Sequence, residues 1–212
     1  MTGALEMSSE FMFRYLSNFI LRSNCLCIRI YIYSYGSVKE WIFKSQKSNR
    51  KFENLKKLLV HDQQHSKIRD YIFIGDTGEK DEDASEKMIR MYPKSMKAVF
   101  LHIVSNRLGA AIPRDRVLKD TPIYYFRTYV GAATKAYVGK LISADAVTSI
   151  INAAIIDIKD IEKKAVISSM EMQLNEKKKN DQHFQYLKSC RTELEIDINE
   201  AKMMLATHAT ML

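Results

Sequence analysis

One stretch limits what this chain can fold into more than any other. Tyr71-Ile72-Phe73-Ile74, an apolar run, leads directly into Gly75-Asp76-Thr77-Gly78-Glu79-Lys80-Asp81. A short apolar run stopped by glycine predicts a strand buried on both faces, the kind found in parallel sheets covered by helices. In such sheets ligands bind beyond the carboxyl ends of the strands, which is where this turn would lie. Two carboxylates, Asp76 and Asp81, would then stand at the binding edge. A hard divalent cation such as Mg²⁺ takes oxygen ligands and is commonly held by one or two carboxylates with a substrate phosphate. A plainer reading stays open, in which either aspartate only caps the helix that opens near Asp83.

The rest of the chain supports a layered α/β domain. Cys25–Tyr33 alternates, with Leu26, Ile28, Ile30 and Ile32 on one face, and predicts a strand. Phe52, Leu55, Leu58 and Leu59 recur at helical spacing over 50–62, with Lys56 and Lys57 facing outward. Ala84–Met91 reads as a helix, Ala98–Val104 and Pro122–Phe126 as buried strands, and Tyr129–Val138 as a helix. Strands alternating with helices imply a mostly parallel sheet. Strand signals stop near Ser143. The remainder is helical by composition, with a break near Lys177–Asp181, and predicts a helical hairpin or tail that packs on the domain or takes a partner helix.

Composition sets outer bounds. Three prolines and seven glycines in 212 residues fit a helix-rich fold with few turns. Net charge is +8, and residues 1–60 hold ten Lys/Arg against four Asp/Glu. That basic third suits a solvated face or a peripheral contact with an anionic membrane. Nothing resembles a nucleic-acid-binding module, so nucleic acid is not expected as a partner. Cys25, Cys27 and Cys190 form no even framework, and free thiols in a reducing, cytoplasmic compartment are expected. No uncharged run reaches the length of a membrane span, because Arg14, Arg22 and Arg29 interrupt Phe11–Tyr33. His61 and His65 could share a helix face but lack a third ligand, and Ser168-Ser169 have no adjacent histidine base.

The string Ile74-Gly75-Asp76-Thr77-Gly78-Glu79-Lys80-Asp81 resembles the fourth motif of the haloacid dehalogenase superfamily. In its fuller form it is similar to the actin-patch-associated phosphatidate phosphatases, distant kin of the lipins. Tyr92-Pro93, Ala98-Val99-Phe100, Tyr129-Val130-Gly131-Ala132-Ala133 and Gly139-Lys140-Leu141-Ile142-Ser143 agree with that family. The resemblance covers the C-terminal portion of such a catalytic domain, over roughly residues 36–145. It implies a partial Rossmann-like parallel sheet with flanking helices, followed by a helical tail over 146–212, with residues 1–35 set apart. It further implies Mg²⁺ held by Asp76 and Asp81, Thr77 orienting them or touching phosphate, Lys51 as the lysine that neutralises the phosphoryl group, and phosphatidate or another lipid phosphate as substrate.

The chain also departs from that pattern. The family's attacking aspartate comes from an Asp-x-Asp-x-Thr/Val string after an earlier strand, yet no aspartate precedes residue 50. The superfamily's second-motif Ser/Thr has no match, and His102-Ile103 stands where the family carries Arg-Asp. The expectation is a truncated or inactive phosphatase-like chain. The alternative is an interaction module at an anionic membrane or on a partner helix.

Overall fold

The computed structural model describes residues 28–31, 49, 51–54, 56, 57, 59, 70–78, 80–104, 112–174 and 179–210; for 28–31, 160–174, 179–187 and 190 it describes the backbone alone. The described residues fall into two compact units, a sheet unit that runs to Arg127 and a helical unit from Thr128 onward.

The sheet unit holds β1 (Ile28–Tyr31), β2 (Asp70–Asp76), β3 (Met96–His102), β4 (Arg116–Leu118) and β5 (Thr121–Phe126), in the spatial order β1-β2-β3-β5-β4. β1, β2, β3 and β5 run parallel, and β4 pairs antiparallel with β5. β3 lies at the centre for a reason visible in its residues. Ala98, Val99 and Leu101 are wholly buried, as an apolar run with strands on both sides requires. Helix α1 (Asp81–Met91) joins β2 to β3. It buries Asp81, Ala84, Ser85, Met88 and Ile89, a stripe at spacings of three and four that fits one helical face. Met88, Ile89, Val99, Leu101, Ile123 and Tyr125 meet in one apolar cluster. Burial of each large apolar side chain there contributes about 1.5–3 kcal/mol.

Of the helical pattern expected over 50–62, Leu55 and Leu58 lie outside the described residues, and the described positions agree with it. Leu59 is buried, Phe52 packs against the core, and Lys56 and Lys57 are exposed. Two details of β2 differ from expectation. The strand continues through Gly75 to Asp76, because both residues stay paired with β3. Only Tyr71 and Ile72 are buried, while Phe73 to Asp76 are half-buried toward the carboxyl end. The helix after it opens at Asp81 rather than near Asp83.

Strand β4 had no sequence signal. It folds back on β5 through Lys119 and Asp120, both with positive φ, at 46° and 68°. Two such central residues make the turn whose twist matches a hairpin, ordinarily announced by Asn-Gly.

The helical unit comprises α2 (Tyr129–Val138), α3 (Ala144–Leu174) and α4 (Lys179–Ala209). Thr128 caps α2, its hydroxyl accepting from the Gly131 N–H at 3.0 Å. Apolar stripes face inward: Val130, Ala133 and Ala136 on α2, Val147, Ile150, Ile151 and Ala154 on α3, Ile198 and Ala201 on α4. The Thr128 hydroxyl also donates to the Asp197 carboxylate, which ties α4 to the first turn of α2. A Cβ on Gly131 would lie 2.8 Å from Asp197 Oδ2, so glycine is what permits this close approach. Burial pushes the Asp197 carboxyl upward, opposed by the Thr128 hydroxyl and reinforced by Glu200 and Glu193. Among the described residues no helix is long and apolar enough to cross a membrane.

Candidate functional site

The acidic turn sits where the parallel sheet would put a ligand, at the carboxyl end of β2. Asp76 ends that strand and pairs in register with His102, the last residue of β3. The chain then turns through Thr77 and Gly78 and enters α1 at Asp81. Lys80, just before the helix, takes the left-handed conformation at φ 58°, and no side chain caps the helix. Neither aspartate is therefore a capping residue.

Asp81 points inward. It is 4% exposed, and its Oδ2 accepts the Asp76 backbone N–H at 3.0 Å. Its Oδ1 accepts from Lys51 Nζ in an ion pair shielded from solvent. Lys51 reaches this position because its helix is held on both sides. Phe52 stacks on Tyr92, and Asn49 accepts from Lys87 of α1 at 2.6 Å. Gly75 is obligatory here. A Cβ at that position would come within 2.4 Å of Asp81 Oδ2 and 2.7 Å of Asp81 Cβ.

The electrostatics follow from this burial. Removal from water pushes the Asp81 carboxyl above the usual carboxylate range, and the Lys51 ammonium with the Asp76 N–H pulls part of that back. A buried carboxylate survives only when paired and hydrogen-bonded, and both conditions are met here.

The Asp76 carboxylate takes a different direction. Its Oδ1 accepts the Gly78 N–H at 2.7 Å, a local bond that shapes the turn. The two aspartates are joined through the Asp76 backbone. Thr77 stitches the turn to the chain beyond β3. Its N–H donates to the His102 carbonyl at 2.9 Å, and its hydroxyl accepts from the Val104 N–H at 3.2 Å.

His102 shares this edge and was read from the sequence only as a departure from a family pattern. Its Nε2 lies 3.1 Å from the Arg127 carbonyl, a geometry that requires a hydrogen on Nε2. Burial holds its pKa below the ordinary histidine value, partly offset by the Arg127 carbonyl and the Asp76 charge.

The structure thus brings Lys51, Asp76, Thr77 and Asp81 to one sheet edge, with Lys51 and Asp81 in direct contact. Among the described residues no group of three or more His, Cys, Asp or Glu side chains clusters as a metal site. Cys25, Cys27, His61 and His65 lie outside the described residues, as does Glu79. Only the backbone of Ser168, Ser169, His183 and Cys190 is described. His208 packs edge-on against Tyr137 at 5.4 Å, a structural contact.

The family model of the phosphatidate phosphatase APP1 catalytic domain matches residues 5–102. The match takes in residues before 36, which the sequence reading had set apart, and it stops at the end of β3. It contains Lys51, Asp76, Thr77 and Asp81. No curated relative and no solved structure matches the chain. Residues 5–102, the stretch that builds this sheet edge, are similar to the phosphatidate phosphatase APP1 catalytic domain.

Proposed function

We propose that this chain carries the cation- and phosphate-binding part of a haloacid-dehalogenase-type site for a lipid phosphomonoester, without its attacking carboxylate. One observation carries the reading. Inside the matched stretch, the Asp81 carboxylate receives Lys51 and the Asp76 backbone N–H at the carboxyl end of a parallel strand, and the Asp76 carboxylate lies on the turn beside them.

The donor chemistry fits Mg²⁺. Asp76 and Asp81 offer oxygens only, as a hard cation prefers, and water with substrate phosphate would complete the shell. When bound, the cation would offset phosphoryl charge. Lys51 would add a second positive charge at the same edge, and its pairing with Asp81 keeps it aimed there. The Thr77 hydroxyl accepts from Val104, which leaves its own hydrogen able to donate to a phosphate oxygen.

Hydrolysis in this family starts from an aspartate on an earlier strand. Here β1 is the earlier strand beside β2, and no aspartate occurs before residue 50. The chain as it stands is therefore proposed to bind and not to turn over. Two measurements test this. Phosphate release from phosphatidate vesicles with Mg²⁺ is expected to stay at background. Mn²⁺ titration, as a stand-in for Mg²⁺, is expected to show saturable binding weakened at least about ten-fold by Asp76→Asn or Asp81→Asn. Turnover that disappears in Asp76→Asn would show that a nucleophile exists; Mn²⁺ binding indifferent to both substitutions would remove the site.

A second reading rests on charge. Residues 1–60 carry ten Lys/Arg against four Asp/Glu, which suits a peripheral contact with an anionic membrane, the surface that also presents the lipid phosphate.

A further inference from the structure

We propose that the β4–β5 hairpin is a brace that aims Asp81, with Arg116 as the positioning residue; this rests on the cation-site reading above.

Helix α1 has no side-chain cap and starts from a left-handed lysine, and its buried stripe of Ala84, Ser85, Met88 and Ile89 sets its rotation on the sheet. That rotation decides where Asp81 points, since one residue is about 100° of turn. A second hold on the rotation comes from outside the helix. Arg116 on β4 reaches Glu82 at 2.9 Å and Glu86 at 2.6 Å, two carboxylates one turn apart on the same face. Its Nε donates to the Tyr125 hydroxyl at 3.3 Å, and that hydroxyl donates to Glu82. Tyr125 is buried, and its backbone N–H is tied to Asp115 at 2.9 Å. At the far end of α1, Lys119 from the hairpin turn donates to the Arg90 carbonyl at 3.2 Å. The hairpin therefore grips α1 along its length. Glu82 is the immediate neighbour of Asp81, so the guanidinium fixes the turn that delivers the buried carboxylate to Lys51 and the Asp76 N–H.

One further fact favours positioning over stability as the purpose. The Arg116, Glu82 and Glu86 side chains are 37, 41 and 28% exposed, and pairs that wet contribute little to folding.

The test is Mn²⁺ titration of the full chain by calorimetry, with far-UV circular dichroism confirming the fold of each variant. Arg116→Met is expected to weaken Mn²⁺ binding about ten-fold while melting near the wild type, and Arg116→Lys to recover part of it, since an ammonium cannot span both carboxylates. Tyr125→Phe and Glu86→Gln each remove one limb and are expected to weaken binding less. Lys97→Met, which breaks an exposed pair with Asp70 elsewhere on the sheet, should bind as the wild type does. If Arg116→Met does not fold, the two milder variants decide. Wild-type affinity in the hairpin variants, with binding lost in Asp81→Asn, would overturn the brace and leave the site standing. Binding unaffected by Asp76→Asn and Asp81→Asn would overturn the site, and the brace with it.

Discussion

Gly75 and the Lys51–Asp81 pair show how closely the sheet edge is fitted. Gly75→Ala forces its new methyl against the Asp81 side chain, which has backbone and lysine on its other sides. A cost of about 2–3 kcal/mol is expected in urea unfolding, of the size seen when a buried network is broken. Lys51→Met leaves Asp81 buried without its cation and should cost about 3–5 kcal/mol. The double variant Lys51→Met/Asp81→Asn should be more stable than that single one, because no orphaned charge remains. Equal losses in single and double variants would show that the pair is not coupled. The aspartates themselves were legible in the sequence as a strand followed by an acidic turn. That Asp81 would lie in an ion pair was not legible, because its partner is thirty residues away and several other lysines compete for the role. The close contact at Gly75 was equally hidden, since the sequence presents that glycine only as a strand stop.

At the scale of elements, the apolar runs and helical spacings carried most of the information. β3 and β5 were readable as buried strands, and α2 occupies the expected Tyr129–Val138. Leu101→Ala in the central strand should cost about 2–5 kcal/mol by the same unfolding measurement, since its whole side chain is buried. The hairpin that adds β4 escaped notice, because a turn built on Lys119 and Asp120 has no glycine or asparagine to announce its positive φ values. The tie between α4 and α2 was equally silent, and it predicts a pH effect. Burial raises the Asp197 carboxyl in the folded chain, so the folded state takes up its proton more readily than the unfolded one. Stability from this group is then greatest in acid and is lost as pH rises through its folded pKa. Relative to Asp197→Asn, the wild type should gain thermal stability as pH falls from neutral toward the carboxylate range. A difference in melting temperature that stays flat with pH would contradict the assignment.

For the molecule as a whole, charge and connectivity act at different ranges. If the basic N-terminal third meets an anionic surface, vesicle co-sedimentation should fall sharply between about 0.05 and about 0.5 M salt, as screening shortens to a few ångströms. Binding insensitive to salt and to anionic lipid content would set that partner aside. The sequence by itself determined the α/β class, the position of the acidic turn at a strand end and the helical character of the later chain. These follow from patterns repeated over a few residues, where hydrophobic period and turn chemistry act locally. Only the tertiary structure decided the order of the strands, the antiparallel edge, the burial of Asp81 against Lys51 and the grip of Arg116 on α1. Those depend on contacts between segments far apart in the chain, and which of many similar charged side chains meet is settled by how the backbone packs.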